Sequence, residues 1–224
     1  MSKRRQDAGS FFEVFLIYYL LFFSGTLGGA VSLAFSPIQE LHRIFGFRLP
    51  ALALIWYLLL KAPALSSFKE KRRFLQTSLM PKGADGRAFI IGLPLLFLSA
   101  FSVSFLFHRL LQLPPEGGFA SPGELSGWLA AILSCFCTAY LEESYFRFYL
   151  FKKTEDAGVP ESSFVFISAS LFALCHLYEG TAGAVNAFLA GLILALIFAR
   201  TKALHGIAWA HGLYNVLVYV LNRG

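Results

Sequence analysis

Seven long apolar blocks follow one another along the chain, and short polar segments separate them. They lie at about residues 11–36, 50–66, 88–108, 126–150, 160–178, 183–199 and 203–221. Each block is close to the roughly 20 residues that a helix needs to cross the hydrocarbon core of a bilayer. The pattern predicts an all-α fold, a polytopic transmembrane helical bundle of about seven spans.

The positions of the positive charges predict the orientation of these spans. If the N-terminus is cytoplasmic, most Lys and Arg residues outside the blocks lie on the cytoplasmic side, including those of the basic segment 67–87. Such an excess is typical of cytoplasmic loops. We therefore predict a cytoplasmic N-terminus, with residues 1–87 forming a two-span extension that carries a basic cytoplasmic loop.

The composition agrees with a membrane protein. Hydrophobic residues make up 57% of the chain and charged residues 14%, whereas a soluble domain carries about 25% charged residues. The net charge of +6 comes from cations between the apolar blocks, which is typical of loops beside anionic lipid rather than of a nucleic-acid-binding surface. We expect the lipid bilayer as a partner and no nucleic acid.

Three polar motifs interrupt the later apolar blocks. They are Glu142-Glu143-x-x-x-Arg147, Phe172-x-x-x-His176 and His211-x-x-x-Asn215. Ionisable groups at membrane depth are energetically costly, so they usually face a polar cavity and mark a functional site. The three motifs lie on three different predicted helices and could share one such cavity.

The first motif contains a candidate general base. Glu143 and Arg147 are four residues apart, so they share a helix face and can form an ion pair. Glu142 points about 100° away from Glu143 and has no obvious partner. A desolvated carboxylate is a suitable general base. The structural alternative is that Glu143 and Arg147 only hold two helices together.

The third motif predicts hydrogen-bond donors. His211 and Asn215 also share a helix face, and two converging donors form the geometry of an oxyanion hole. The structural alternative is a polar contact with the preceding helix, for example through Asn186. His176 taken alone is as compatible with a structural histidine as with a catalytic one.

The order of the three motifs resembles that of the CPBP family. This family comprises the CAAX proteases and bacteriocin-processing (Abi) enzymes, which are glutamate-dependent intramembrane endopeptidases. The surrounding stretches FRFYLF and TKALHGIAWAHGLYN are also similar to the family. The resemblance covers about residues 88–221, so we expect residues 88–224 to form a CPBP-like catalytic transmembrane core.

The resemblance implies a role for each motif residue. Glu142 would activate a water molecule, and His176 would assist by hydrogen bonding to that water. His211 and Asn215 would stabilise the tetrahedral oxyanion. Three supporting residues would organise the site and pack beside it: Glu143, Arg147 and Phe172.

Two other catalytic mechanisms use the same residues. Glu142, His176 and His211 could hold a zinc ion with one position open for water, although the chain has no HExxH motif and the resemblance favours a mechanism without a cofactor. Cys175 adjoins His176, but neighbours on a helix point about 100° apart. We therefore expect the three cysteines to be packing residues.

The predicted function is hydrolysis of a peptide bond in a membrane-anchored protein or peptide, such as a lipidated tail or a leader segment. The alternatives are a non-catalytic immunity or scaffold protein of the same fold, and a small transporter, which usually shows repeated halves that are not found here. The short loops favour a prokaryotic plasma membrane, and the eukaryotic equivalent would be the endoplasmic reticulum. We expect the active site in the cytoplasmic half of the bilayer, with the fourth helix continuing past Leu150.

Overall fold

The computed structural model describes residues 3–23, 35–62, 65, 67–114 and 122–221. Within these ranges the chain forms eight helices and no strand, which confirms the all-α prediction. The helices are α1 (Lys3–Tyr18, followed by a π-helical turn at Tyr19–Phe23), α2 (Pro37–Leu60), α3 (Phe68–Leu79), α4 (Gly83–Leu110), α5 (Leu125–Asp156), α6 (Glu161–Leu174), α7 (Gly180–Thr201) and α8 (Leu204–Leu221).

Five of the described helices are long and apolar enough to cross a membrane. They are α2, α4, α5, α8 and α7 together with the 3₁₀ turn that precedes it. The apolar parts of α1, Phe11–Phe23, and of α6 are shorter. At about 21 Å, α6 falls short of a bilayer core of about 30 Å. The described part of every predicted block contains an apolar helix; residues 24–34 of the first block and residues 63, 64 and 66 of the second lie outside the described residues.

Helix α2 begins well before the predicted block at 50–66. Its first residue is Pro37, and the Oγ of Ser36 accepts a hydrogen bond from the backbone N–H of Gln39. Proline at the first helical position after a serine cap is a strong start signal. The first turns of α2 carry charged side chains, so a prediction from apolar segments places the start of this helix too late.

The basic segment 67–87 is helical rather than a loop. The hydroxyl of Ser67 accepts from the N–H of Glu70, whose carboxylate accepts from the N–H of Ser67, so α3 begins with a capping box. The ring of Phe74 lies 6.4 Å from that of Trp56 and 5.8 Å from that of Phe148. Helix α3 therefore packs against α2 and α5.

Close helix contacts at glycines hold the later helices together. A Cβ placed on Gly191 of α7 would lie 2.9 Å from the Cα of Ala169 on α6. A Cβ on Gly206 of α8 would lie 2.2 Å from the carbonyl oxygen of Asp85 on α4. Small residues allow helices in membranes to approach this closely, so these two positions set the spacing of the bundle.

Helix α5 is continuous from Leu125 to Asp156 and passes Leu150, as expected. A π-helical turn at Ser144–Tyr149 follows the two glutamates directly. Such turns often occur at functional sites because the wider turn redirects the side chains that follow.

Candidate active site

The three polar motifs meet at one cavity of about 370 Å³. Its lining includes five of the motif residues: Glu142, Phe172, His176, His211 and Asn215. The volume lies in the range of small-ligand sites, roughly 300–1,000 Å³. The other two motif residues, Glu143 and Arg147, are fully buried.

The Glu142 side chain is the carboxylate of the site that faces the cavity. It is 12% exposed, and one of its oxygens lies 3.6 Å from Nε2 of His211. No hydrogen bond joins it to any residue in the part of the chain that the structure describes. A carboxylate in this position can accept a hydrogen bond from a bound water.

Glu143 and Arg147 form the ion pair that their spacing predicts. The Nε atom of Arg147 lies 3.2 Å from Oε2 of Glu143, and neither side chain is exposed. The two groups are not aligned as a hydrogen bond, so the contact is mainly electrostatic. The guanidinium also lies 4.5 Å from the centre of the Phe172 ring and donates weakly to the carbonyl of Gly191 at 3.5 Å. Arg147 thereby joins α5, α6 and α7.

His211 bridges the two glutamates. Its Nδ1 lies 2.8 Å from Oε1 of Glu143, and its Nε2 faces Glu142. The close packing of α8 on α5 places it there, since a Cβ on Gly212 would lie 2.7 Å from the Phe136 ring. The contact with Glu143 cannot be deduced from the spacing of the motifs, because it depends on how two helices pack.

His176 lies just beyond the end of α6. Its Nδ1 is 2.7 Å from the backbone carbonyl oxygen of Phe172. A carbonyl can only accept, so Nδ1 carries the proton and Nε2 is a free acceptor in the neutral imidazole. The Phe172 ring contacts both histidines, with its centre 4.4 Å from that of His176 and 5.8 Å from that of His211.

Cys175 lies closer to His176 than a helical geometry predicts. Helix α6 ends at Leu174, and in the turn that follows Sγ of Cys175 is 3.3 Å from Nδ1 of His176. The two side chains therefore do not point apart as the helical prediction has it; that prediction is wrong here because Cys175 and His176 lie in a turn. The thiol is nevertheless buried and donates to the Phe172 carbonyl at 3.1 Å, and it does not line the cavity.

A polar contact between α7 and α8 does exist, but His211 and Asn215 do not form it. The amide of Asn186 donates to the hydroxyl of Tyr214 at 3.2 Å, and its oxygen accepts from Ser99 at 3.3 Å. The neighbouring Asn215 faces the cavity. This arrangement leaves Asn215 available to a ligand.

Comparison with known proteins finds one family that is similar to this part of the chain. Residues 124–217 match the family model of the type II CAAX prenyl endopeptidase Rce1-like proteins. Together with the five apolar helices, the match indicates an integral membrane protein whose core is similar to that of CAAX-type intramembrane endopeptidases. No curated protein and no solved structure matches the chain.

The match includes all three motifs of this Rce1-like core but not the charged residues of α2. Glu40, Arg43 and Arg48 also line the cavity, with Ser134 of α5. These residues are not among the predicted site residues, because they lie before the predicted second block and look like loop residues. The Glu40–Arg43 spacing of i,i+3, directly after a serine–proline helix start, is the signal that could have found them.

No prearranged metal site is present among the described side chains of the Rce1-like core. No group of three His, Cys, Asp or Glu side chains in this part of the chain is placed to hold a metal ion. Glu142, His176 and His211, the residues of the zinc alternative, are therefore not arranged as a triad there.

Proposed function

We propose that this protein hydrolyses a peptide bond in a membrane-associated substrate, either a lipidated or transmembrane tail or a leader segment, with Glu142 as the general base. The observation that carries the proposal is the Glu142 carboxylate, which lines a cavity and has no hydrogen-bond partner among the described residues. It is 12% exposed, so water in the cavity can reach it.

In the proposed reaction, water attacks the scissile carbonyl carbon and no covalent enzyme intermediate forms. Glu142 takes one proton from the water as the carbon–oxygen bond forms, and His176 accepts a hydrogen bond from the same water through Nε2. When the carbon–nitrogen bond breaks, Glu142 returns the proton to the leaving amine. A positioned carboxylate of this kind contributes roughly 10²–10⁴-fold to a rate.

His211 and Asn215 are the proposed oxyanion donors. Among the buried charges, Glu142 and Glu143 are negative and Arg147 is positive, so a protonated His211 would make the group neutral. In that state Nδ1–H donates to Glu143 and Nε2–H points towards the cavity. The Asn215 amide, one turn further along α8, supplies the second donor. Donors placed where charge develops are usually the largest source of stabilisation.

Glu143 and Arg147 are proposed to position His211 rather than to touch the substrate. Both are fully buried, and the carboxylate of Glu143 holds Nδ1 of His211 at 2.8 Å. This leaves one imidazole orientation, with Nε2 towards the substrate. Phe172 limits the movement of both histidines because its ring contacts each of them.

The site is proposed to lie in the cytoplasmic half of a prokaryotic plasma membrane. Along α5, Glu142 lies about 21 Å from the end at Asp156 and about 26 Å from the end at Leu125. Lys152 and Lys153 lie in the last turns of this helix, and such residues are typical of a cytoplasmic interface. The shorter distance to the basic end supports this position.

Cleavage of membrane-anchored peptides by the purified protein in detergent tests the proposal. Glu142→Gln is compared with Glu161→Gln, the same change at a carboxylate that is 52% exposed and pairs with Lys202. We expect the wild type and Glu161→Gln to cleave, with or without a zinc chelator, and Glu142→Gln to bind peptide without cleaving it.

Cleavage by Glu142→Gln would refute the assignment of the base. Loss of cleavage with chelator, restored by zinc, would refute the metal-independent mechanism, and peptide binding without cleavage by the wild type would favour a scaffold protein.

A further inference from the structure

Helix α3 contacts the rest of the protein along one side. Its Phe74 ring lies 6.4 Å from Trp56 of α2 and 5.8 Å from Phe148 of α5. Three further side chains on this side are partly buried: Lys71, Leu75 and Ser78. The remaining positions of α3 are exposed, so the other side of the helix can contact a partner outside the chain.

An exposed apolar edge runs along α3 beside its buried side. The side chains of Phe68 and Leu79 are 82% and 49% exposed. They lie about three full helical turns apart, so both project in the same direction. Met80, which directly follows the helix, is 65% exposed. Large apolar side chains along one exposed edge indicate a contact with lipid or with another protein.

A row of cations lies next to this apolar edge. Successive residues of a helix are about 100° apart, so Arg72 projects about 40° from Phe68. Lys69 and Arg73 lie further round on the same side. All three cations are exposed. The apolar edge of α3 therefore separates its buried side from its basic side.

The segment that contains α3 has few negative charges to balance these cations. Residues 67–87 include six Lys and Arg but only two acidic residues, and both of these cap helices. Glu70 accepts from the N–H of Ser67, and Asp85 accepts from the N–H of Lys82. A positive surface beside an apolar edge is typical of a helix that lies in the plane of a membrane surface.

The position of α3 in the bundle agrees with such an orientation. It joins two helices that are long enough to cross a membrane, α2 ending at Leu60 and α4 beginning at Gly83, so it is held near one surface of the bilayer. Its contact Phe148 lies one turn before Lys152 on α5, at the end of the bundle that we propose to be cytoplasmic. Anionic lipid in the cytoplasmic leaflet attracts basic segments beside it.

We propose that the exposed side of α3 binds the headgroups of anionic lipids at the membrane surface. The cations Lys69, Arg72 and Arg73 contact the lipid phosphates, and Phe68 and Leu79 lie among the upper parts of the acyl chains. This lipid contact does not depend on the proposed endopeptidase function. Only its effect on cleavage rests on that function.

An aromatic cluster connects this lipid-binding surface to the catalytic cavity. Phe148 directly follows Arg147 in the π-helical turn Ser144–Tyr149. Besides Phe74 of α3, its ring contacts Trp56 at 5.5 Å and Phe198 of α7 at 6.1 Å. Anionic lipid that holds α3 in place should therefore stabilise the part of α5 that carries the buried ion pair, and it should raise the rate of cleavage.

Binding of phosphatidylglycerol and phosphatidylcholine to the purified full-length protein in maltoside micelles tests the proposal. We expect phosphatidylglycerol to bind more tightly and to raise the temperature of thermal unfolding. Both effects should weaken with added salt, because exposed charges are screened. The triple variant Lys69→Gln, Arg72→Gln and Arg73→Gln should bind phosphatidylglycerol about 100-fold more weakly, since each cation beside anionic lipid contributes about fivefold.

The matched control keeps all three charges. The variant Lys69→Arg, Arg72→Lys and Arg73→Lys should bind phosphatidylglycerol as the wild type does, because the surface attracts phosphates by charge. Phe68→Ser should weaken binding about tenfold, as the loss of a buried aromatic ring implies, and leave its dependence on salt unchanged.

Equal affinity of the wild type for the two lipids would overturn the inference. Undiminished phosphatidylglycerol binding by the triple glutamine variant would also overturn it and would favour an acidic protein as the partner of α3. If that variant does not fold, the salt titration of the wild type still decides, because a preference for phosphatidylglycerol that salt does not weaken would contradict binding by exposed cations.

The lipid measurement separates a failure of this inference from a failure of the proposed function. Glu142→Gln should bind phosphatidylglycerol as tightly as the wild type, whether or not any peptide is cleaved. Cleavage by a wild type that has no preference for phosphatidylglycerol would overturn this inference alone. A preference for phosphatidylglycerol without cleavage of any peptide would support this inference and count against the endopeptidase function.

Discussion

The Nδ1 atom of His211 lies 2.8 Å from Oε1 of Glu143, at the contact between α8 and α5. The opposite ring nitrogen lies 3.6 Å from the carboxylate of Glu142. One imidazole therefore links a fully buried carboxylate to the one that faces the cavity. In the proposed mechanism the two adjacent glutamates therefore have different roles: Glu142 acts at the substrate, and Glu143 sets the orientation of the histidine.

Replacing the two proposed oxyanion donors should lower kcat with little change in KM. His211→Ala and Asn215→Ala should each reduce kcat by about 10²–10³-fold, because the donors act on charge that develops only in the transition state. Tyr214→Phe is the control on the same helix, since it removes a bond to Asn186 but leaves both donors in place. Steady-state kinetics on a cleavable peptide would contradict this assignment if KM rose while kcat stayed constant.

Glu143 and Arg147 should be strongly coupled in stability. Removing either charge leaves the other buried, so Glu143→Gln and Arg147→Met should each lower the free energy of unfolding by about 3–5 kcal/mol. The double variant should lose much less than the sum of the two, because no isolated charge remains. Denaturation of the four proteins in detergent measures the coupling, and additive losses would show that the pair is not the stabilising contact described here.

Much of the helical bundle and of the site can be predicted from local sequence patterns. The apolar blocks predict the helices. The i,i+4 spacing predicts the Glu143–Arg147 ion pair and places His211 and Asn215 on one helix face. The His211–Glu143 contact is different, because it depends on the packing of α5 against α8, and no spacing along one helix carries that information.

The start of α2 shows a second limit of sequence analysis. Glu40, Arg43 and Arg48 look like loop residues in an apolar profile, because charges at membrane depth are costly when isolated. Here Glu40 pairs with both arginines, and Glu40 and Arg48 bond to Ser134, which is 86 residues away from Arg48. Only the folded arrangement brings these partners together, so an apolar profile places the start of the helix too late.

His176 should matter for catalysis, and its neighbour Cys175 should not. His176→Ala removes the Nε2 acceptor at the proposed water and should lower kcat by about 10²-fold or more. Cys175→Ala removes a buried thiol that does not line the cavity, so activity should stay within about threefold, with a small loss of stability from the lost packing. Peptide cleavage and thermal unfolding of the two variants separate these effects. An inactive but fully folded Cys175→Ala would support a thiol mechanism instead.

The contact of Gly206 with α4 should control both stability and activity. A methyl group at this position would lie 2.2 Å from the backbone oxygen of Asp85, and backbone cannot move aside as a flexible side chain can. The Asp85 carboxylate also accepts from the N–H of Gly206 at 2.8 Å, so Gly206→Ala should push the start of α8 outwards and weaken that bond. We expect a loss of about 1–3 kcal/mol in the free energy of unfolding.

The matched control is Gly86→Ala on α4, where an added Cβ meets nothing within 4 Å. An exposed helical glycine costs about 0.5–1 kcal/mol relative to alanine, so this variant should be as stable as the wild type or more stable. Because His211 lies on the same helix as Gly206, the shift of α8 should also move the imidazole away from Glu143 and lower kcat. Equal stability and activity of the two alanine variants would mean that α4 and α8 do not approach as closely as the structure shows.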